Sequence, residues 1–212
     1  MPQTFRRAGG YAAIAAPVLM WSAFFAAALT RQGYDLLTRP FSDLATKGSI
    51  NATQFEVAFF LVPGALAAVV GIGLWFAGSA STLWRAGSLL TVSAGVLLFA
   101  TGFFQQDPTY DAASILHRTV SQICYAFASL APIVLFVAAS RDRRLDPPRQ
   151  LWLVTGMAAA AMEVVAIVLQ PVVHYPDGVF QRPFTIALTV WFVATGAWLL
   201  RVRKAEGLMV SE

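Results

Sequence analysis

The sequence predicts an all-α membrane protein, a bundle of six transmembrane helices built of three helical hairpins with both termini in the cytoplasm. Six long apolar stretches supply most of the 212 residues, and each is close to the ~20 residues that a helix needs to cross a hydrocarbon core. Charged residues make up 12% of the chain, against roughly 25% in soluble domains. Residues 1–204 are therefore predicted to form one integral membrane domain, followed by a short polar cytoplasmic tail at 205–212.

The predicted spans cover residues 8–29, 53–77, 83–104, 117–139, 151–170 and 183–200. The first span follows Arg6 and Arg7 and ends in a run of alanines, which is also the pattern of a cleaved signal peptide. Its apolar stretch is longer than the ~7–15 residues of such a peptide, so we expect a retained helix. Pro147 and Pro148 separate the fourth span from the fifth, because neither residue can continue a helix.

The distribution of basic residues predicts the orientation, since Lys and Arg concentrate in the cytoplasmic connections of membrane proteins. Ten of the 15 Lys and Arg residues fall on the side of the two termini: Arg6, Arg7, Arg85, Arg141, Arg143, Arg144, Arg149, Arg201, Arg203 and Lys204. The opposite side carries Arg31, Arg39, Lys47, Arg118 and Arg182. Both termini are therefore predicted to be cytoplasmic, with the three longer connections outside. The basic residues form no single cluster, so we expect no nucleic-acid partner.

The three outward connections share a weak pattern, an acidic residue beside turn-forming residues. Asp43, Asp107 and Asp177 each occupy such a position. This pattern fits descent from a repeated hairpin. It also fits the turn and capping needs of any chain at a membrane surface, and the two interpretations stay open.

Polar residues align along single faces of the later spans, because positions three, four and seven apart lie on one side of a helix. Two neighbouring stripes follow the fourth span, one of His117, Ser121 and Cys124, the other of Arg118, Gln122 and Tyr125. Cys124 is predicted to be a small buried hydrophobic residue. Glu163 lies ~10 Å of helix rise below the outer end of the fifth span, where an acid normally faces protein or a water-filled cavity. Glu163 is predicted either to pair with a neighbouring helix, with Arg118 or Arg182 as candidates, or to handle protons or a ligand.

The outer half of the bundle is predicted to hold a ligand pocket. Its predicted ligand-binding residues are Ser42, Asp107, His117, Arg118, Gln181 and Arg182. Arg118 and Arg182 begin their spans, where helix N-termini already favour anions, so the pair can clamp a phosphate or carboxylate. The alternative is that both arginines reach for the membrane surface or pair with nearby Asp residues. Ser42 has a second interpretation as a helix cap.

A metal site is the second possibility for the same residues. His117, His174 and Asp107 have the atom types for a catalytic zinc ion, and Asp43 or Glu163 would then be the catalytic base. The spacing matches no local metal motif. Loop histidines also serve as plain hydrogen-bonding groups, so zinc stays an open possibility.

Aromatic residues near the inner span ends are predicted to form an interfacial belt. They are Trp75, Trp84, Trp152 and Trp198. Glu56, a few residues into the second span, is predicted to lie at the opposite interface.

The chain resembles the prokaryotic membrane proteins of the domain of unknown function 998 family over nearly its whole length. The resemblance rests on three short motifs: Phe41-Ser42-Asp43-Leu44, Asp107-Pro108 followed by His117-Arg118, and Gly178-Val179-Phe180-Gln181-Arg182. It implies a six-span bundle in a prokaryotic cytoplasmic membrane and supplies no activity. A looser likeness to ceramidase-like membrane hydrolases is analogy only, since this chain has two histidines and lacks the paired His of a late helix.

These observations predict a multi-pass membrane protein with an outward-facing polar pocket for a lipid headgroup or a small anionic ligand, in contact with membrane lipids. A metal-dependent lipid hydrolase and a proton-coupled small-solute transporter are the two alternatives that use the same pocket. A purely structural role also stays open, because small residues permit close helix packing.

Overall fold

Six long helices account for almost all of the computed structural model, which describes residues 2–107, 111–142, 145–169 and 178–201. The helices are α1 (Pro2–Thr30), α2 (Ala52–Ala77), α3 (Thr82–Thr101), α4 (Ala112–Arg141), α5 (Arg149–Leu169) and α6 (Gly178–Arg201). All six are long and apolar enough to cross a membrane, and the described residues contain no strand. The prediction of an all-α protein with six spans is confirmed.

The helices form a closed ring in which each packs mainly on its neighbours in sequence, and α1 packs on α6 to close it. Neighbouring helices are antiparallel: Gly9 near the start of α1 meets Gly73 near the end of α2, and Gly10 meets Leu200 at the end of α6. The start of α1 and the end of α6 therefore lie at the same end of the bundle, which we call the terminal end. The opposite end, the long-loop end, carries the connections 31–51 and 102–111 together with the end of α5 and the start of α6. The grouping into three hairpins and the cytoplasmic side of the termini stay predictions, and the tail 205–212 lies outside the described residues.

Three helices, α1, α4 and α6, begin five or six residues earlier than the hydropathy pattern predicts. Helix α4 begins at Ala112, because the Asp111 side chain accepts a hydrogen bond from the Ser114 backbone N–H at 2.9 Å and caps it. Helix α6 begins at Gly178, whose N–H donates to the Thr38 carbonyl at 3.0 Å. His117, which we expected at the membrane surface, is consequently inside a helix and only 4% exposed.

The second span contains a π-helical stretch at Val57–Leu61, between α-helical segments Ala52–Glu56 and Val62–Ala77. Pro63 follows directly and has no N–H to donate to the residue four positions before it, so the helix widens there. The wider turn buries the neighbouring rings Phe59 and Phe60 together. This irregularity places aromatic side chains beneath the long-loop end.

The predicted tryptophan belt is wrong for three of its four members. Trp84 and Trp152 are fully buried and Trp198 is 8% exposed, and their ring centroids lie 5.7 to 6.1 Å from one another in the interior of the terminal end. The Trp84 ring N–H donates to the Leu74 carbonyl at 2.7 Å, which satisfies the polar atom of a buried indole. Trp75 is 37% exposed with the Arg85 guanidinium over its ring, as an interfacial residue would be.

Candidate functional site: a polar pocket at the long-loop end

A cavity of about 90 Å³ opens inside the ring at the long-loop end. Its polar lining consists of Ser42, Gln106, His117, Arg118, Ser121, Gln122, Glu163 and Gln181. Its apolar lining includes Phe41, Phe60, Tyr125, Met162, Ala166, Phe180 and Phe184. The pocket thus gathers five of the predicted site residues, namely Ser42, His117, Arg118, Glu163 and Gln181.

Helix α4 contributes both predicted polar stripes to the pocket wall. Arg118 is exposed at the rim, and Tyr125 lies two turns deeper, ~10 Å along the helix. The His117 ring is held in place by two contacts. Its Nδ1 donates to the Phe104 carbonyl at 2.7 Å, and the ring packs edge to face against Phe60. Cys124 lies below the pocket and is buried, as predicted.

Glu163 lies at the floor of the pocket, on α5. The Ser129 hydroxyl donates to the Tyr125 carbonyl at 2.9 Å, and its oxygen lies 3.4 Å from Glu163 Oε2. Ser129 is eleven residues beyond Arg118 on α4, ~16 Å of helix rise deeper, so Glu163 contacts α4 well below the position of Arg118. Of the two predicted roles for Glu163, the structure shows the contact to a neighbouring helix, while leaving the carboxyl in contact with the cavity.

Gln181 joins α6 to the short 3₁₀ turn Phe41–Ala45 and thereby places Ser42. Its side-chain Oε1 accepts a hydrogen bond from the Phe41 backbone N–H at 3.0 Å. Ser42 is 7% exposed and faces the pocket from inside the turn, while Pro40 occupies the cap position. The capping interpretation of Ser42 is therefore not what the structure shows.

Arg182 does not line the pocket with Arg118. It is 9% exposed, its guanidinium lies 4.6 Å from the Phe41 ring centre and 5.2 Å from that of Phe24, and its Nη2 donates to the Tyr34 hydroxyl at 3.0 Å. Burial raises the pKa of Tyr34 despite the opposing effect of Arg182, so this phenol stays protonated at neutral pH. The two-arginine clamp that we expected is consequently absent, because one arginine is used to hold α6 against the first connection.

Two predicted acidic residues also lie away from the pocket. Asp43 is 3.9 Å from Arg39, and its backbone carbonyl accepts a hydrogen bond from Arg31. Asp107 is 3.3 Å from the Lys47 ammonium, which is also 3.0 Å from Asp111.

The Lys47 contacts join the connections 31–51 and 102–111. The Asp111 and Asp107 carboxylates raise the pKa of Lys47, and the Ser114 backbone N–H together with Lys47 lowers the pKa of Asp111. Glu56, predicted to be interfacial, is instead buried, with Gln105 donating to its Oε2 at 2.7 Å.

The predicted zinc site includes His174, which lies outside the described residues. Within the described part of the chain, no group of three or more His, Cys, Asp or Glu residues is placed to hold a metal ion. His117 already donates to a backbone carbonyl, and Asp107 pairs with Lys47. Zinc with His117, His174 and Asp107 stays a prediction.

The aromatic lining of the pocket could not be predicted from periodicity. Phe60 lies in the π-helical stretch before Pro63 and lines the cavity, and Phe184 lines it from α6. The sequence signal for Phe60 was Pro63, an imino acid within a predicted span.

Each of the three short motifs that carried the family resemblance contributes two residues to the lining of this pocket: Phe41 and Ser42, His117 and Arg118, Phe180 and Gln181. A protein-family model, described as protein of unknown function (DUF998), matches residues 14–198, which is most of the chain. No curated protein and no solved structure matches the chain.

Proposed function

The chain belongs to the DUF998 family, whose description assigns no function, and we propose that this multi-pass membrane protein binds an anionic group, a phosphate or a carboxylate, in its polar pocket. The anion would belong to a lipid headgroup or to a small solute. The observation that carries the proposal is that exposed Arg118 lines a cavity in which most of the other polar side chains are amides and hydroxyls.

The chemistry of the lining favours a single anionic group near the rim. Among the described residues that line the pocket, Arg118 carries the one fixed positive charge. Around it, Ser42, Gln106, Ser121 and Gln122 offer hydroxyl and amide donors, and the described part of the chain gives none of these four side chains a hydrogen bond. Arg binds phosphate and carboxylate oxygens in bidentate fashion, and neutral donors complete such a site.

Glu163 sets the lower limit of the anion site. An acidic side chain offers no attraction to an anion, so the negative group of the ligand would remain at the level of Arg118 and not descend to the floor. The pocket therefore has a defined polarity, with its positive charge at the rim and its acid at the bottom.

Replacing Arg118 with glutamine tests this proposal. A charge-assisted hydrogen bond contributes ~1.5–3 kcal/mol, so we expect roughly 10–100-fold weaker binding of inorganic phosphate or glycerol phosphate. The measurement is the ligand-induced rise in thermal unfolding temperature of the purified protein. Arg201→Gln is the matched control, because Arg201 is exposed in the last turn of α6 at the terminal end. Equal stabilisation of wild type and Arg118→Gln by these anions would refute the proposal.

Proton-coupled transport is the second candidate, and the position of Glu163 favours it. A carboxyl that lines a cavity within a membrane helix is a common proton carrier. We expect dicyclohexylcarbodiimide, an apolar reagent that modifies carboxyl groups, to label Glu163 and to leave Glu56 largely unmodified, because Glu56 is 7% exposed and bound by Gln105. Peptide mass spectrometry of wild type and Glu163→Gln measures this. Labelling of Glu56 in preference to Glu163 would count against an accessible acid in the pocket.

A further inference from the structure

A second cavity of about 80 Å³ lies directly beneath the polar pocket, deeper in the bundle. Its walls are almost wholly apolar and come from α1, α2, α3, α4 and α6, with Pro17, Phe59, Ala94, Cys124, Ala128 and Leu188 among them. We call this cavity the apolar chamber. Pro17 and Pro63 both line it, so it lies where α1 and α2 depart from regular helical hydrogen bonding.

The apolar chamber and the polar pocket share a wall of aromatic side chains. Phe41, Phe60, Tyr125 and Phe184 line both cavities. The Tyr125 and Phe184 ring centroids are 4.7 Å apart, and the Phe60 ring meets His117 above it. A molecule that enters the pocket from the rim therefore meets, in order, a guanidinium, neutral hydrogen-bond donors, a layer of rings and an apolar space.

The chamber offers few partners to water, since its polar side chains among the described residues are only Cys124, Tyr125, Thr185 and Thr189. The Thr189 hydroxyl in its wall accepts a hydrogen bond from the Trp21 ring N–H at 2.9 Å, and the Cys124 thiol donates to the Ala94 carbonyl at 3.3 Å. A buried water needs two to four polar partners, and apolar cavities that lack them stay dry and accept hydrocarbon.

We propose, on the basis of the anion site proposed above, that the ligand is a single-chain amphiphile. Its anionic head would bind at Arg118, and its hydrocarbon chain would pass between the four shared rings into the apolar chamber. A buried water needs ~10–15 Å³, so a chamber of about 80 Å³ holds roughly six waters or a similar number of methylene groups. A chain segment of this size fits one short or partly inserted chain and excludes the two chains of a bilayer phospholipid.

The proposal is tested with a series of alkyl phosphates: hexyl, octyl, decyl, dodecyl and tetradecyl phosphate. The first methylenes only span the ~10 Å of helix rise between Arg118 and Tyr125. We therefore expect affinity for the wild type to rise about fourfold for each further methylene that enters the chamber, and to level off after roughly six of them. Two variants change the chamber in opposite directions. Ala128→Phe fills it and should abolish the dependence on chain length, and Leu188→Ala enlarges it and should move the plateau to longer chains. The measurement is ligand-induced thermal stabilisation in one detergent.

Inorganic phosphate separates failure of this inference from failure of the proposed function. It should stabilise wild type, Ala128→Phe and Leu188→Ala equally, since both substitutions lie below the anion site, and should not stabilise Arg118→Gln. If phosphate binds in this way but alkyl phosphates show the same dependence on chain length in all three proteins, the anion site stands and the chamber proposal is overturned. If Ala128→Phe does not fold, an unchanged plateau in Leu188→Ala is sufficient to reject the proposal. Loss of phosphate binding in every protein, the wild type included, would reject both.

Discussion

Replacing Gly95 with leucine is expected to prevent α2 and α3 from packing and to abolish folded, monodisperse protein. Gly95 and Gly64 lie where these two helices approach most closely. A Cβ built at Gly64 would be 2.8 Å from the Gly95 carbonyl oxygen, and a Cβ at Gly95 would be 2.7 Å from the Gly64 carbonyl oxygen and closer still to the Ala68 backbone nitrogen. Only glycine permits this approach, because the neighbouring atoms belong to backbone that cannot rotate away.

The cost of Gly95→Leu should exceed that of ordinary overpacking. Inserting extra methylenes into a core costs ~1–3 kcal/mol when side chains can adjust. Here two helix backbones must separate, so we expect Gly95→Leu to lower the free energy of unfolding by more than ~4 kcal/mol. The stability of Gly95→Ala should lie between that of Gly95→Leu and that of the wild type.

Fluorescence-detected size exclusion after heating measures the folded fraction of these variants. Val96→Leu is the matched control: it enlarges the next residue on the same helix, which is 54% exposed, and should leave the unfolding temperature unchanged. An unfolding temperature for Gly95→Leu within a few degrees of wild type would contradict this account of the crossing.

The second large effect is expected at Arg182, which holds the start of α6 against the connection 31–51. Arg182→Ala removes a charge-assisted hydrogen bond to Tyr34, worth ~1.5–3 kcal/mol, and two contacts with aromatic faces of ~0.5–2 kcal/mol each. Its Nε and Nη1 atoms have no hydrogen-bond partner among the described residues, which offsets part of this loss, so we expect a net destabilisation of ~2–4 kcal/mol. Arg182→Lys should recover little of the stability lost in Arg182→Ala, because an ammonium lacks the planar group that stacks on Phe41.

A double-mutant cycle with Tyr34→Phe isolates the hydrogen bond. Removing the Tyr34 hydroxyl leaves the Arg182 Nη2 atom without this partner. Because both single variants lose the same hydrogen bond, the destabilisation of the double variant should be ~1.5–3 kcal/mol smaller than the sum of the two single values. Arg39→Ala provides the comparison, because its partner Asp43 is 3.9 Å away and the Arg39 side chain is 49% exposed; such surface pairs contribute ~0–1 kcal/mol. Strict additivity of Arg182→Ala and Tyr34→Phe in thermal or denaturant unfolding would contradict the proposed contact.

The residues of the polar pocket could be predicted from the sequence only where they follow helical spacing along a single helix. The two stripes of α4 follow from helical spacing, and the pocket does expose Arg118, Ser121 and Gln122 on one wall. Arg118 and Arg182 have the same sequence context, each near the start of a span, and no local property separates them. Their different roles depend on Tyr34 and Phe41, which come from a connection more than 140 residues earlier than Arg182.

The tryptophans at the terminal end show the same limit of prediction from the sequence. A tryptophan near the end of a span suits an interfacial belt, and Trp75 meets that expectation. Trp84, Trp152 and Trp198 stand in similar positions, yet they face inward and fill the ring together. The direction of each side chain depends on the rotation of its helix within the ring, and hydropathy does not report this rotation when all sides of a helix are apolar.

By itself the sequence determined the class, the six spans and the identity of one polar-lined helix face, because the cost of placing polar groups in hydrocarbon leaves an apolar chain few alternatives to membrane helices. Only the tertiary structure decided which polar residues share a cavity. The closed ring brings α4, α5 and α6 together with the turn Phe41–Ala45, turns Arg182 away from Arg118, and leaves an apolar chamber below them. The physical reason is that side chains from distant parts of the chain meet through helix rotation and backbone irregularity, which no single span encodes.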